Sequence, residues 1–511
     1  MRSFVNSAFN WYYKKRYKEI EHIIENPHEA QRQVFNNLIE SARYTEWGKR
    51  YNFGTIRSPK DFQNKVPVQD YESLKPFIQR MMEGEKDILW PGKVEMFSKS
   101  SGTTSDKSKF IPVSQENFDD CHMKGSWDTM TVIYNQIPDC TIFSGKNFVM
   151  AGNHSLYKPG SKTIYGDVSA LMVKNMPKIA KPFYEPDLDV IFRDDWESKI
   201  QMMAEVACKP DVAPLIKMIG GVPTWTIVFF RHVLEISGKS NMLEVWPNFE
   251  VYIHGGVNME PYRDQFAQFL PSEKVKYIEV YNASEGYFGT KLNLEDDDML
   301  LLLNNGVYYE FIPMDQWNED NPKAVTLDQV EEGKNYAMLI STNAGLWRYL
   351  IGDTIMFTST APYKIKITGR TKQFVNAFGE EVMVANTDKA IAQACKETDA
   401  IVSEYTVAPI YFKNSGKGGH EWLVEFEKEP TDMKSFNSLL DLKLQLINSD
   451  YEAKRYKNMA LNELMLRPLP KGTFLGWMKH RGKFGNQNKV PRLANNRQFV
   501  EEILTYIKET A

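Results

Sequence analysis

Residues 246–289 read WPNFEVYIHGGVNMEPYRDQFAQFLPSEKVKYIEVYNASEGYFG, and this stretch decides the fold. Phe249 to His254 is a short run rich in aromatic and β-branched residues that stops at Gly255-Gly256, the pattern of a strand closed by a turn. Met259 to Leu270 reads as a helix. Val275 to Val280 reads as a second strand, ending at Tyr281-Asn-Ala-Ser-Glu285. Strand, helix, strand in that order predicts a parallel sheet of the α/β class, with ligands expected at the C-terminal ends of the strands.

Upstream, the chain to about Tyr51 reads as two amphipathic helices, with Trp11, Tyr12, Tyr17, Ile20, Ile23 and Ile24 at near-helical spacing and Pro27 between them. Phe97 to Lys109 is polar and rich in small residues. Ser114 is then placed to cap a helix running toward Tyr134. Downstream, Leu300 to Leu303, an Asn304-Asn-Gly306 turn and Val307 to Ile312 read as a hairpin. Tyr336–Ser341, Leu346–Phe357 and Tyr363–Ile367 continue the strand series. After Gly369-Arg370 both periods occur. Helices are expected at Thr387–Lys396 and Met433–Tyr451, strands at Ile401–Phe412 and Glu421–Phe426, and the most obvious turn at Asn414–Gly419. The pattern predicts a separate α+β module, joined by a short hinge near Gly369 to Gln373.

The bulk properties set bounds on function. A chain of 511 residues is too long for one core, so two or three domains are expected. Hydrophobic residues at 42% and aromatics at 13% supply large cores and exclude extensive disorder. A formal charge of −4 and a pI near 6.2 provide no global basic field for nucleic acid or an anionic membrane. Cys121, Cys140, Cys208 and Cys395 lack metal-ligand spacing and read as reduced, mostly buried thiols. The first residues carry no signal-peptide pattern, and no run approaches the roughly 20 apolar residues of a membrane helix. A cytoplasmic protein without membrane insertion is expected.

Four segments carry candidate chemistry. Ser100, Ser101, Gly102, Thr103, Thr104 and Lys109 combine hydroxyls, a glycine for close approach and a cation, which is what a triphosphate needs. Taken alone the loop is ordinary, and it is not a Walker A sequence. Tyr281 to Glu285 places an aromatic and a carboxylate at a strand end, where a ring stacks on a base and Glu285 holds Mg²⁺ beside phosphates. The alternative is a strand end with an exposed glutamate. Gly345-Leu-Trp-Arg-Tyr-Leu-Ile-Gly-Asp353 offers an aspartate for ribose hydroxyls, or a plain Gly-Asp turn. Near the C-terminus, Lys489-Val-Pro-Arg492 follows Gly472-Thr-Phe474, and a lone lysine there is usually a solvated side chain.

The order of these segments resembles the Gretchen Hagen three family of acyl-acid amido synthetases, within the adenylate-forming superfamily. The resemblance runs from about Phe97 to Leu493 and includes Val245-Trp-Pro-Asn248 before His254-Gly-Gly256. It implies a large N-terminal αβ domain (1–368) with β-sheets and a β-barrel-like subdomain. A hinge (369–373) containing Lys372 and a smaller, mobile α+β C-terminal lid (374–511) would follow. It further implies ATP and Mg²⁺ as cofactors, with Ser100 to Thr104 and Lys109 on the triphosphate. Gly255 and Gly256 would lie along the adenine, with Tyr281 stacked on it. Ser284 and Glu285 would serve phosphate and metal, Asp353 and Arg370 the ribose. Lys489 would approach the α-phosphate, making Lys489 and Glu285 the catalytic pair.

The implied reaction is adenylation of a small carboxylic acid followed by conjugation to an amino acid. A carboxylate attacking an α-phosphate brings two anions together, so cations must neutralise the developing charge, and a lid keeps water from the acyl-adenylate. Two alternatives stand beside this: an acyl-CoA ligase forming a thioester, and a nucleotide-binding protein that does not turn over. The sequence departs from the family pattern at Leu350, where the plant proteins usually have arginine. Residues 122–231 give no match for an acid pocket; Trp225, Phe229 and Phe230 have the right chemistry, but aromatics at this spacing more often form core. The eight histidines include no H-E-x-x-H, and there is no G-x-S-x-G elbow. His254 is expected to be structural or adenine-adjacent, and Asp296 to Asp298 a solvated turn.

Overall fold

A computed structural model of the chain describes residues 2–100, 109–193, 195–256, 259–317, 322–371, 374–375, 380, 382–412, 417–455, 461–483, 489–494 and 496–510. The strands read from residues 246–289 form as Val251–Gly255 and Lys276–Ala283. They pair in parallel, with Val251 opposite Lys276 and Gly255 opposite Val280. Between them the chain makes a 3₁₀ turn at Glu260–Tyr262 and a helix at Arg263–Phe269.

The chain divides into two compact units. The first comprises residues 1–257, 269–351 and 355–366; the second comprises 258–268, 352–354 and 367–511. In the first, five strands run parallel in the order Tyr184–Glu185, Lys146–Val149, Ile216–Gly220, Val251–Gly255 and Lys276–Ala283. The sheet then continues through antiparallel Gly286–Thr290, Met299–Leu301 and Tyr363–Arg370, and on through Tyr349–Thr360, Asn335–Thr342 and Val307–Pro313, making eleven strands, of which residues 352–354 and 367–370 are counted with the second unit. The antiparallel series is thus hydrogen-bonded onto the parallel strands. A second, four-stranded sheet holds Lys109–Val113, Met96–Ser100, Ile164–Gly166 and His154–Leu156 in that order.

The N-terminal helices form as read, Arg2–Glu25 and Pro27–Ala42, with Pro27 at the first turn of the second, where its missing N–H costs nothing. The expected hairpin at 300–312 does not form. Gly306 does turn the chain, with φ +73, but Met299–Leu301 pairs with Gly286–Thr290 while Val307–Pro313 pairs with Asn335–Thr342. The physical reason is Gln31, from the second helix. Its amide donates to the carbonyls of Leu303 (2.8 Å) and Val307 (2.9 Å), and its oxygen accepts from the Tyr309 N–H (3.0 Å). A buried carboxamide therefore takes the backbone bonds that a hairpin ladder needs. Ser114 caps its helix as expected, accepting from the Asn117 N–H. The helix then widens into a π turn at Phe118–Met123 before resuming as Lys124–Gln136.

In the second unit, Ile401–Phe412 pairs antiparallel with Lys417–Lys428, which pairs parallel with Met465–Leu469. Helices Val384–Thr398 and Met433–Ile447 share its core: Tyr405 stacks on Trp422 with centroids 5.4 Å apart, and Phe426 meets Phe436 edge-on. The expected α+β module is present. The Asn414–Gly419 turn falls largely outside the described residues. Among the described residues no helix is long and apolar enough to cross a membrane.

Candidate active site

In the first unit the C-terminal strand ends gather the expected residues. Gly255 is the last residue of its strand; a Cβ there would lie 2.4 Å from the Val280 carbonyl oxygen of the neighbouring strand. Gly256 has φ +84, a conformation other residues rarely adopt. Gly255 therefore lets the neighbouring strand approach closely, and Gly256 turns the chain. Ser284 and Glu285 form the two-residue turn between Lys276–Ala283 and Gly286–Thr290, where Ala283 faces Gly286. Glu285 is only 7% exposed, so it is not the solvated strand-end glutamate of the simpler reading. Tyr281 is 4% exposed and meets Phe288 edge-on at 5.0 Å.

This turn is backed by the π turn. Cys121 Sγ accepts the Tyr287 N–H at 3.3 Å, and Thr129 bonds the Tyr287 hydroxyl at 2.7 Å. A Cβ on Gly125 would reach within 2.4 Å of the Tyr287 ring, so the helix approaches the hairpin as closely as glycine permits. Burial pushes the Cys121 thiol up to about 12 and the neighbouring His122 down to about 4, with Asn282 of the signature turn opposing the latter shift. A protonated thiol and a neutral imidazole are thus packing groups. Nothing in the sequence marked this support, because a π turn has no composition signal of its own.

Ser100 pairs with Lys109 across the antiparallel strands Met96–Ser100 and Lys109–Val113, which places them together at the base of the Ser/Thr-rich loop. The Lys109 ammonium stands 5.8 Å over the Tyr71 ring. Ser101, Gly102, Thr103 and Thr104 lie outside the described residues, as does Lys372. Phe229 and Phe230 are fully buried with Trp246, forming core as the commoner reading expected, while Trp225 meets Trp196 edge-on at 4.9 Å. Arg348 of the third segment is buried in an ion pair with Glu310 (3.0 Å) and bonds the Val66 carbonyl (2.7 Å). Its φ of +45 is held by those partners, so this arginine serves the fold.

In the second unit Asp353 and Arg370 form an ion pair, Nε to Oδ1 at 3.0 Å. Lys489 is partly buried. Burial, then the positive charge of Arg370, push its ammonium down from 10.5 to about 8, with the Asp353 carboxylate opposing. Three expected site residues, drawn from segments far apart in sequence, thus share one electrostatic environment. Among the described residues no group of three or more His, Cys, Asp or Glu is placed to hold a metal.

Domain models of the GH3 family match the chain along most of its length: the N-terminal domain at residues 16–216 and 191–275, the central domain at 300–370, and the C-terminal domain at 385–498. The chain belongs to the GH3 family. Similar relatives of this GH3 chain include indole-3-acetic acid-amido synthetase GH3.4 of Arabidopsis thaliana, 25% identical over 94% of this chain and 91% of the relative. Jasmonoyl–L-amino acid synthetase JAR4 of Nicotiana attenuata is 23% identical over 93% and 92%. Among solved structures, the GH3.15 acyl acid amido synthetase superposes with a TM-score of 0.78 at 16% identity, covering 96% of both chains. A 2-hydroxyisobutyryl-CoA ligase in its postadenylation state gives 0.60 at 13% identity, covering 95% of this chain and 93% of the ligase. The GH3 chain therefore has the adenylate-forming fold.

Proposed function

We propose that this chain adenylates a small carboxylic acid with ATP and transfers the acyl group to an amino acid. One carboxylate oxygen attacks the α-phosphorus, the bond to the bridging oxygen breaks, and pyrophosphate leaves. The amino nitrogen then attacks the acyl carbon, AMP departs with the bonding electrons, and the amine proton goes to solvent. The observation that carries the reading is the joining of Lys489, Asp353 and Arg370 in one environment, in a chain of a family whose named relatives are amido synthetases.

The roles follow from chemistry. Lys489 offsets the charge that develops at the α-phosphate, while Asp353 and Arg370 hold the ribose. Ser100 to Thr104 and Lys109 bind the β- and γ-phosphates. Gly255 and Gly256 leave an edge bare enough for a base to lie along it, with Tyr281 as the stacking ring and Ser284 on a phosphate. Mg²⁺ brought in with ATP would find an oxygen ligand in the buried Glu285 carboxylate, where it supplies further charge neutralisation. We assign residues 1–368 to the adenylate-forming domain, 369–373 with Lys372 to the hinge and 374–511 to the lid; the central-domain match, ending at residue 370, supports that division.

The test is ATP-dependent pyrophosphate release across aryl, indolyl and fatty acids, first without acceptor and then with amino acids or CoA. Release with one acid class, abolished in Lys489→Ala and Glu285→Ala, and an amide as final product is the expected result. A thioester formed only with CoA transfers the assignment to an acyl-CoA ligase. No release with any acid while ATP still binds removes the enzymatic reading.

A further inference from the structure

Lys489 sits on a short segment with little regular structure of its own, yet a catalytic cation must be held to within a fraction of an ångström. What holds it is visible three residues on. The Arg492 guanidinium is 8% exposed and lies between two tyrosine rings, 4.3 Å from the Tyr405 centroid and 5.4 Å from that of Tyr262. Its terminal nitrogens face the carboxylates of Glu404 (3.2 Å) and Asp388 (3.5 Å), and one also contacts the Tyr262 hydroxyl. Its backbone is held as well. The Val407 N–H donates to the Arg492 carbonyl (2.8 Å), the Ala494 N–H to the Val407 carbonyl (3.1 Å), and the Thr406 hydroxyl to the Pro491 carbonyl (2.6 Å).

We propose that Arg492 is the positioning residue for Lys489: its guanidinium, clamped between Tyr262 and Tyr405 and paired with Glu404 and Asp388, fixes the Lys489-Val-Pro-Arg492 segment so that the ammonium points beside Asp353 and Arg370. A buried arginine with two carboxylates is a costly way to secure a loop, because each charge must be desolvated. Apolar packing would suffice if stability alone were required. The planar fork sandwiched between rings, by contrast, restricts rotation about the segment, which apolar contacts do not. Val490, between clamp and lysine, is partly buried against the apolar cluster that includes Phe474 and Trp477. Arg492 touches no reacting atom; it acts through Lys489.

The inference rests on the adenylation role given to Lys489 above, and its test separates the two. Arg492→Lys and Tyr262→Phe are measured in two half-reactions. One is ATP–pyrophosphate exchange with the accepted acid; the other is amide formation from chemically supplied acyl-adenylate, which does not need the α-phosphate step. Arg492→Lys is expected to lower the exchange rate by about 10- to 100-fold, the usual cost of disturbing a supporting residue, with the Michaelis constant for the acid and the transfer step within about 3-fold. Tyr262→Phe, which removes only a hydroxyl, is expected to act in the same direction and less. A merely structural role would depress both half-reactions together, and that result overturns the proposal. So does a folded Arg492→Lys protein whose exchange stays within about 3-fold of wild type. If melting curves show that Arg492→Lys does not fold, Tyr262→Phe decides, and an unchanged exchange rate there rejects the clamp. A wild-type protein inert in exchange with every acid rejects the adenylation reading instead.

Discussion

If the charge on Lys489 is needed at the α-phosphate, the enzyme must lose activity as that ammonium titrates. Burial, then Arg370, bring it down from 10.5 to about 8, so the charged form is disfavoured in this environment. The sign follows directly. The protonated form is the active one, so kcat/KM for ATP is flat below pH 8 and falls about tenfold per pH unit above it. The neighbours move the limb in opposite directions. Arg370→Gln removes a repelling cation, so the limb rises; Asp353→Asn removes the attracting carboxylate, so it falls. Burial is the largest cause, so a neighbour's removal shifts the limb without restoring an ordinary lysine. Both substitutions also weaken nucleotide binding and lower the plateau, but the plateau height and the limb's position are separate readouts. The assay is pyrophosphate exchange from pH 6 to 10 at constant ionic strength. A limb that stays in place in both variants, or moves the same way in both, refutes the assignment of the titrating group.

Three other outcomes follow from single contacts. Glu285→Gln is expected to fold and to lose pyrophosphate release by at least about 100-fold, since an amide neither repeats the buried charge nor binds Mg²⁺ well; release within tenfold of wild type at saturating Mg²⁺ removes Glu285 from the metal. Gly255→Ala places a Cβ 2.4 Å from the Val280 carbonyl oxygen, so a lowered melting temperature and about 1–3 kcal/mol of lost stability are expected in denaturant unfolding. Gln31→Leu leaves the Leu303 and Val307 carbonyls and the Tyr309 N–H without their buried partner, at about 1–3 kcal/mol for each group that water cannot reach; unchanged stability means the 303–307 turn rearranges.

The parallel unit at 249–283 was legible because its apolar runs are short and are ended by glycines, so period and punctuation agree. The strand series after Tyr336 and the helices and strands after Gly369 were legible for the same reason. The hairpin at 300–312 was misread because its signal, two apolar runs around Asn-Gly, is local, while its pairing is set by Gln31 some 270 residues earlier. Val307–Pro313 is buried at every position, which is the mark of a strand covered on both faces rather than of an amphipathic ribbon. In the site, residue types such as Glu285 and Lys489 were readable, but their environments were not. Sequence does not show that Glu285 is buried or that a helix meets Tyr287 at Gly125, and the Arg492 clamp draws on Tyr262, Asp388, Glu404 and Tyr405, which no spacing rule connects.

The depressed pKa of Lys489 also bears on how substrate and enzyme share the cost of the charge. In the free enzyme the ammonium is disfavoured by burial and by Arg370, and Asp353 offsets only part of that. A triphosphate beside it contributes anionic oxygens, which favour the charged form. The proton on Lys489 and the nucleotide therefore bind cooperatively, and linkage makes the effect reciprocal. Since kcat/KM reports the free enzyme and kcat the bound complex, the alkaline limb of kcat should lie above the limb near 8 expected in kcat/KM. Arginine at this position keeps its charge throughout, so any activity retained by Lys489→Arg should show no alkaline limb in either parameter. Coincident limbs for kcat and kcat/KM in the wild type would mean that the phosphates never come close enough to Lys489 to alter its charge. The lysine would then have to act after the adenylate has formed, on a later step than the one assigned to it.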